Sequence, residues 1–362
     1  VAKIKGNGIE INGTEYAQSE LASSDKGINI NAAKIKLDGE TQANGDINLN
    51  GNVENKSNIY SGGNLNTFDM INSGNINVSG NIAAGNFKNS LATVLSGGNF
   101  NVKNLDNSGN IQVSGITDIN GKFDNTGYLA SVKRISVLGN VGSTGNILTN
   151  EDLTARNAVT SGTIAAKNLK VDNLTNDGKI SANGNLLAKD VKNTGEILTV
   201  GKISGNSLVT SGKVQTNESL DINGFLDNSG TVGAAKDITV AGNVLNSGEI
   251  LTNGNLTAKK VESTGDITVV GKISADTLKS SGTLRTNADL SINGRFDNDG
   301  TVETSKSVTV SGDINNTGKI LAGGNLSGKN TVSDGTVAAK NISVDDLKND
   351  GKITAGENIK AK

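Results

Sequence analysis

The sequence predicts an all-β chain, a right-handed parallel β-helix built as a three-sided solenoid of about twenty coils with roughly 17–18 residues in each. Three observations predict it. A short corner motif ending in Gly returns about every 17 residues, apolar residues stand two apart between corners, and large side chains are too scarce for a wide core.

The corner is seen at Asn107-Ser108-Gly109, Asn125-Thr126-Gly127, Asn228-Ser229-Gly230 and Asn316-Thr317-Gly318, with Ser or Thr replacing Asn before Gly145, Gly162, Gly212, Gly265, Gly282 and Gly335. From Gly109 to Gly351, fourteen intervals cover 242 residues, a mean of about 17.3. Glycine here is expected to supply a positive φ where a Cβ would clash. Asn recurring at one corner is expected to form a hydrogen-bonded amide ladder from coil to coil.

The strands follow from what surrounds that Gly. Two residues after it comes an aliphatic residue, as at Ile111, Ile147, Ile180, Val232, Ile267 and Ile320. Four after it stands a smaller one, such as Val113, Ala182, Thr199 or Ala234. A second apolar pair follows, for example Ile238 with Val240 and Leu290 with Ile292. Four before the Gly lies a third position, held by Leu105, Phe123, Val191, Leu226 and Phe296, with Ala158 and Thr331 as weak members. A spacing of two is the strand period, so inward and outward side chains alternate. Units this short cannot bury a face alone; wound into coils they stack like residue on like.

Composition agrees. The chain has 362 residues, 47 Gly, no Pro, Cys, His or Trp, and 2% aromatics. Such a chain fills only a narrow interior. Absence of Pro keeps backbone N–H groups available for pairing between coils. A hydrophobic content of 34% with net charge −2 argues against disorder, and the charge balance removes the usual attraction to nucleic acid. No apolar run approaches the ~20 residues needed for a spanning helix, so no membrane insertion is expected.

Regularity divides the chain. Residues 101–362 repeat cleanly, and residues 196–265 align with 266–335, as Gly224-Phe225-Leu226-Asp227-Asn228 does with Gly294-Arg295-Phe296-Asp297-Asn298. Residues 1–100 read as less regular coils of the same solenoid, with loop excursions at residues 15–26, 54–60 and 85–96. Neither terminus shows a capping element, and bare solenoid ends invite edge pairing, so the natural protein is expected to continue both ways, with a rod on the order of 100 Å.

The run Asn246-Ser247-Gly248-Glu249-Ile250-Leu251-Thr252-Asn253-Gly254-Asn255-Leu256, with its counterpart from Asn316 to Leu326, resembles the repeats of filamentous haemagglutinin-type exoproteins. The resemblance covers roughly residues 62–362 and implies a shaft segment of a two-partner secretion protein. It implies export through a partner outer-membrane transporter to the surface of a Gram-negative bacterium. The expected function is the structural shaft of a secreted adhesin, contacting a receptor that the residues do not specify. The stalk of a contact-dependent inhibition toxin is the alternative.

A polysaccharide-active β-helix enzyme is the third reading. It needs carboxylates within about 10 Å of each other. Asp124, Asp227 and Asp297 share a repeat position but stand six and four coils apart, about 29 and 19 Å. Without His or Cys, imidazole and thiolate routes are closed, and no catalytic residue, metal ligand or cofactor is assigned. Gly62-Gly63-Asn64 and its relatives lack the Asp of calcium-binding nonapeptides. Asn-x-Ser/Thr sequons occur at Asn12, Asn55, Asn77, Asn173, Asn217, Asn255, Asn325 and Asn341, a number that an Asn-rich chain produces by chance. Candidate exposed adhesive aromatics are Tyr16, Tyr60 and Phe87, in the irregular segments, where packing under their own loops is the competing role.

Overall fold

A computed structural model describes residues 3–5, 9–11, 14–16 and 27–361. Among them are 43 strands and no helix. The chain forms two compact units, Val1–Ala182 and Asn183–Lys362, and each is a parallel β-solenoid, the architecture that the repeat predicts.

In the first unit the inward columns run in register from coil to coil. Ile35, Val53, Met70, Phe87, Leu105, Phe123 and Val141 stack in one column, and Ile59, Ile76, Val94, Ile111, Leu129 and Ile147 in another. All are essentially inaccessible to solvent. Parallel pairing with a two-residue side-chain period puts the same face inward in every coil. Phe87 and Phe100 meet edge to face inside, with ring centroids 5.2 Å apart and planes at 79°.

The second unit repeats the scheme. Ile197, Val214, Val232, Ile250, Ile267, Leu284, Val302 and Ile320 form one column, and Val191, Leu208, Leu226, Val244, Val261, Leu278, Phe296 and Ile314 another. All are buried.

The corner Asn points inward. Asn55 donates to Asn72 at 2.7 Å, Asn72 to Asn89 at 2.9 Å, Asn89 to Asn107 at 3.0 Å and Asn107 to Asn125 at 2.9 Å, each from Nδ2 to Oδ1. Asn125 ends the run on Ser143 Oγ at 3.2 Å. In the second unit Asn228 donates to Asn246 and Asn298 to Asn316, and both runs end on Ser, at Ser263 and Ser333. The amide ladder is therefore present and buried, which places the Asn55 sequon at 0% exposure.

The corner Gly serves a different need from the one the sequence suggests. A Cβ on Gly127 would lie 2.1 Å from Gly109 O, and one on Gly145 would lie 2.0 Å from Gly127 O. Close approach of the preceding coil's carbonyl excludes the side chain, and none of these corner glycines takes a positive φ. The one non-Gly residue with positive φ among those described is Leu91, at 55°. It is an extra residue in the corner Asn89-Ser90-Leu91-Ala92, where Ala92 stands under Gly109.

Two expectations for the first hundred residues change. Stretches 54–60 and 85–96 are coils in register rather than excursions, since Gln42, Tyr60 and Asn77 are paired neighbours and so are Phe87 and Leu105. Their corner motif is degenerate, which hides the period. The first parallel coil is also not left open. Lys3–Lys5 pairs antiparallel with Glu40–Gln42, and Ile9–Ile11 pairs antiparallel with Ile35–Leu37 and with Thr14–Tyr16. Of the excursion 15–26, residues 17–26 lie outside the described residues.

Candidate interaction surface

The surface that stands out is a cleft of about 770 Å³ on the first unit, running across consecutive coils. Two outward columns line it. Position by position, one is Glu54, Ile71, Lys88, Asp106 and Asp124, and the other includes Asn52, Asp69, Asn86, Asn104 and Lys122. The coil register brings these residues together, because equivalent outward positions of successive windings must lie about one strand spacing, ~4.8 Å, apart.

One wall is held by a polar chain. Asn86 donates from its backbone N to Asp69 Oδ1 at 2.7 Å and from Nδ2 to Oδ2 at 3.0 Å. Asn104 Nδ2 then donates to Asn86 Oδ1 at 2.7 Å, and Lys122 N donates to Asn104 Oδ1 at 2.7 Å. The other column carries charges in pairs. Lys88 Nζ lies 3.4 Å from Asp106, Lys122 Nζ lies 2.6 Å from Asp124, and Lys56 Nζ lies 3.0 Å from Glu54. The hydrogen bond to Asp124, with the charges of Asp124 and Asp106 behind it, raises the Lys122 pKa above its ordinary 10.5. Lys122 thus holds its proton. Amid these groups Ile71 is 56% exposed.

Asp106 and Asp124 are direct register partners. The repeat position of Asp124, Asp227 and Asp297 suggests isolated carboxylates, but Asp106 occupies that same position one coil away. Comparing every occupant of the column, rather than the Asp-Asn motif alone, would have found it.

The candidate aromatics separate. Phe87 is 1% exposed and belongs to the interior column, so it is not an adhesive contact; the coil register turns it inward beside Phe100. Tyr60 sits at an outward position of the strand Ile59–Ser61 and is half-buried. Tyr16 ends the strand Thr14–Tyr16, and its side chain lies outside the described residues. The most exposed aromatic among the described residues is instead Phe68, at 66%, next to Asp69 of the cleft wall, with Phe225 exposed at 43%. Phe68 replaces a small corner residue, with Gly85 one coil on, and only coil-by-coil alignment of that second corner would reveal it.

Among the described residues no group of three or more His, Cys, Asp or Glu is placed to hold a metal ion. Comparison with known proteins finds no matching family, no matching curated protein and no matching solved structure.

Proposed function

We propose that the chain is a structural shaft of a secreted, cell-surface exoprotein of the adhesin type, exported through a partner outer-membrane transporter, and that it works by holding a surface in place rather than by catalysis. The observation that supports this most is the use of the repeat. Within each unit the repeating coil places its aliphatic residues and its Asn inward, where they bind the coil before and after. A sequence organised in this way builds length by repetition, with stability coming from nearest-neighbour coils. The likeness of its corners to filamentous haemagglutinin-type repeats supplies the cellular setting.

Antibodies raised against the purified chain should label intact, unpermeabilised cells of the source organism, and beads coated with the chain should adhere to host or bacterial cells above an albumin control. Labelling only after permeabilisation would sink the surface assignment, and adhesion no better than albumin would sink the adhesive one.

The stacked carboxylates Asp106 and Asp124 give the polysaccharide-active reading its footing. Both are tied to lysines, which favours a charge-balanced contact surface over an acid–base pair. Release of new reducing ends from a glycan panel, abolished by Asp106→Asn, would reverse that preference.

A further inference from the structure

The outward column through Ile71 reads, coil by coil, Lys36, Glu54, Ile71, Lys88, Asp106. Its charges are arranged symmetrically in position and oppositely in sign about Ile71. One coil away on either side stand Glu54 and Lys88; two coils away stand Lys36 and Asp106. A two-fold axis through Ile71, perpendicular to this face, lays a second copy antiparallel on the first. It sets Ile71 against Ile71, Glu54 against Lys88 and Lys36 against Asp106, with no like charges facing over these five coils. We propose that this face is a self-complementary contact through which two copies of the chain associate antiparallel.

Chance exposure of an apolar residue does not produce this pattern. Three other exposed apolar residues occupy the equivalent outward position of other coils. Val159 lies between Gly142 and Thr175, Leu245 between the like charges Asp227 and Glu262, and Val332 between Asn315 and Lys348. None has opposite charges on its two sides. Around Ile71 the charges are also held in place by their own chain, through the contacts of Lys36 with Asp38, Glu54 with Lys56 and Lys88 with Asp106. An isologous interface needs this self-complementarity, and complementary charge fixes its register and orientation.

The strip spans about 19 Å over five coils and is about 7 Å wide, so it covers on the order of 130 Å², well short of the roughly 800 Å² per partner of a stable complex. The association is therefore transient and weakened by salt, and it matters where many copies are held close together.

Sedimentation velocity of the full chain over a concentration series tests it. Expected is a dimer that grows with concentration and disperses at high salt. Lys88→Glu sets Glu against Glu54 of the second copy and should abolish the dimer, whereas Glu54→Lys combined with Lys88→Glu should restore it. The chain has no Cys, so Ile71→Cys provides one thiol on the axis. Under mild oxidation it should form a disulfide-linked dimer at least about tenfold faster than Val159→Cys, which is similarly exposed at 54% but lacks the flanking charges. A chain that stays monomeric while the two Cys variants cross-link at equal rates would overturn the proposal. So would a dimer that Lys88→Glu leaves intact.

Discussion

Asn107 donates from Nδ2 to Oδ1 of Asn125 on the next coil at 2.9 Å, and both side chains are shut off from solvent. The same amide group lies 3.2 Å from Gly109 O and 3.1 Å from Tyr128 O. One side chain therefore satisfies backbone carbonyls of two coils. Asn107→Ala removes these bonds and the acceptor for Asn89, while Gly109 O keeps the Tyr128 N–H at 2.8 Å, so the expected cost is about 1–3 kcal/mol. Asn107→Ser should cost less, because Ser143 already fills that column position. Amide hydrogen exchange of coils 100–131 measures both; equal protection in the Ala variant and the parent would contradict the ladder's role.

The corner glycines give a paired test. A Cβ at Gly127 meets backbone, Gly109 O at 2.1 Å and Ser108 C at 2.6 Å. Two coils must part to admit it, so Gly127→Ala should cost roughly 2–3 kcal/mol. A Cβ at Gly233 meets Gln215 Cγ at 3.7 Å, an ordinary contact. Gly233→Ala should be neutral or stabilising by up to about 1 kcal/mol, since it restricts the unfolded chain. Denaturant midpoints of the two variants should move in different directions or by plainly different amounts.

Leu91 sits at φ 55° with its side chain 88% exposed. The left-handed region costs a branched L-residue about 1–2 kcal/mol, and nothing buried compensates. Leu91→Gly should therefore raise the melting temperature, where deletion of an exposed side chain ordinarily leaves it unchanged. A lowered melting temperature would show that the exposed Leu contributes packing.

Inward and outward positions should differ sharply. Ile267 is 0% exposed between Ile250 and Leu284. Ile267→Asp carries a charge into a dry column and should cost several kcal/mol. Lys272 is exposed, and Lys272→Asp should shift stability by less than about 0.5 kcal/mol. Similar losses for the two would contradict the assignment of faces.

The acid limb of stability should register Asp190. Ser207 Oγ donates to its Oδ1 at 2.5 Å, with Asn206 Nδ2 at 3.4 Å. The Ser207 hydrogen bond, against partial burial and aided by Asn206 and Lys189, holds the carboxyl below its ordinary 3.8. A depressed carboxyl contributes stability that is complete above the unfolded value, near 3.8, and is lost as pH falls through the lower folded value. Ser207→Ala should return the Asp190 titration, followed by NMR, toward 3.8 and flatten the stability profile there, by a few tenths of a kcal/mol at this solvated site.

Much of the fold was legible because a solenoid writes its period directly into the chain. Ile111, Leu129 and Ile147 share a corner offset and one column. The corners at Asn55-Lys56-Ser57 and Asn89-Ser90-Leu91 lack Gly at the usual place, so their coils looked like loops although backbone pairing continues through them. The reason for the corner Gly was out of reach as well. Contact with a carbonyl of the previous winding is a relation between residues 18 apart, as with Gly127 and Gly109, while a turn preference is local. The cleft suffered the same blindness: Lys36, Glu54, Ile71, Lys88 and Asp106 form a pattern only after each winding is laid over the last.

The near-identical mating surfaces of successive windings bear on how such a gene can change. Residues 196–265 and 266–335 are two versions of one four-winding block, and corner glycines at both ends meet the same kind of carbonyl, Gly195 O beneath Gly212 and Gly265 O beneath Gly282. Recombination between the two versions would excise or add whole windings and rejoin the backbone without creating an unfamiliar junction. Allelic variants are therefore expected to differ in length by multiples of a winding, with partial windings selected against.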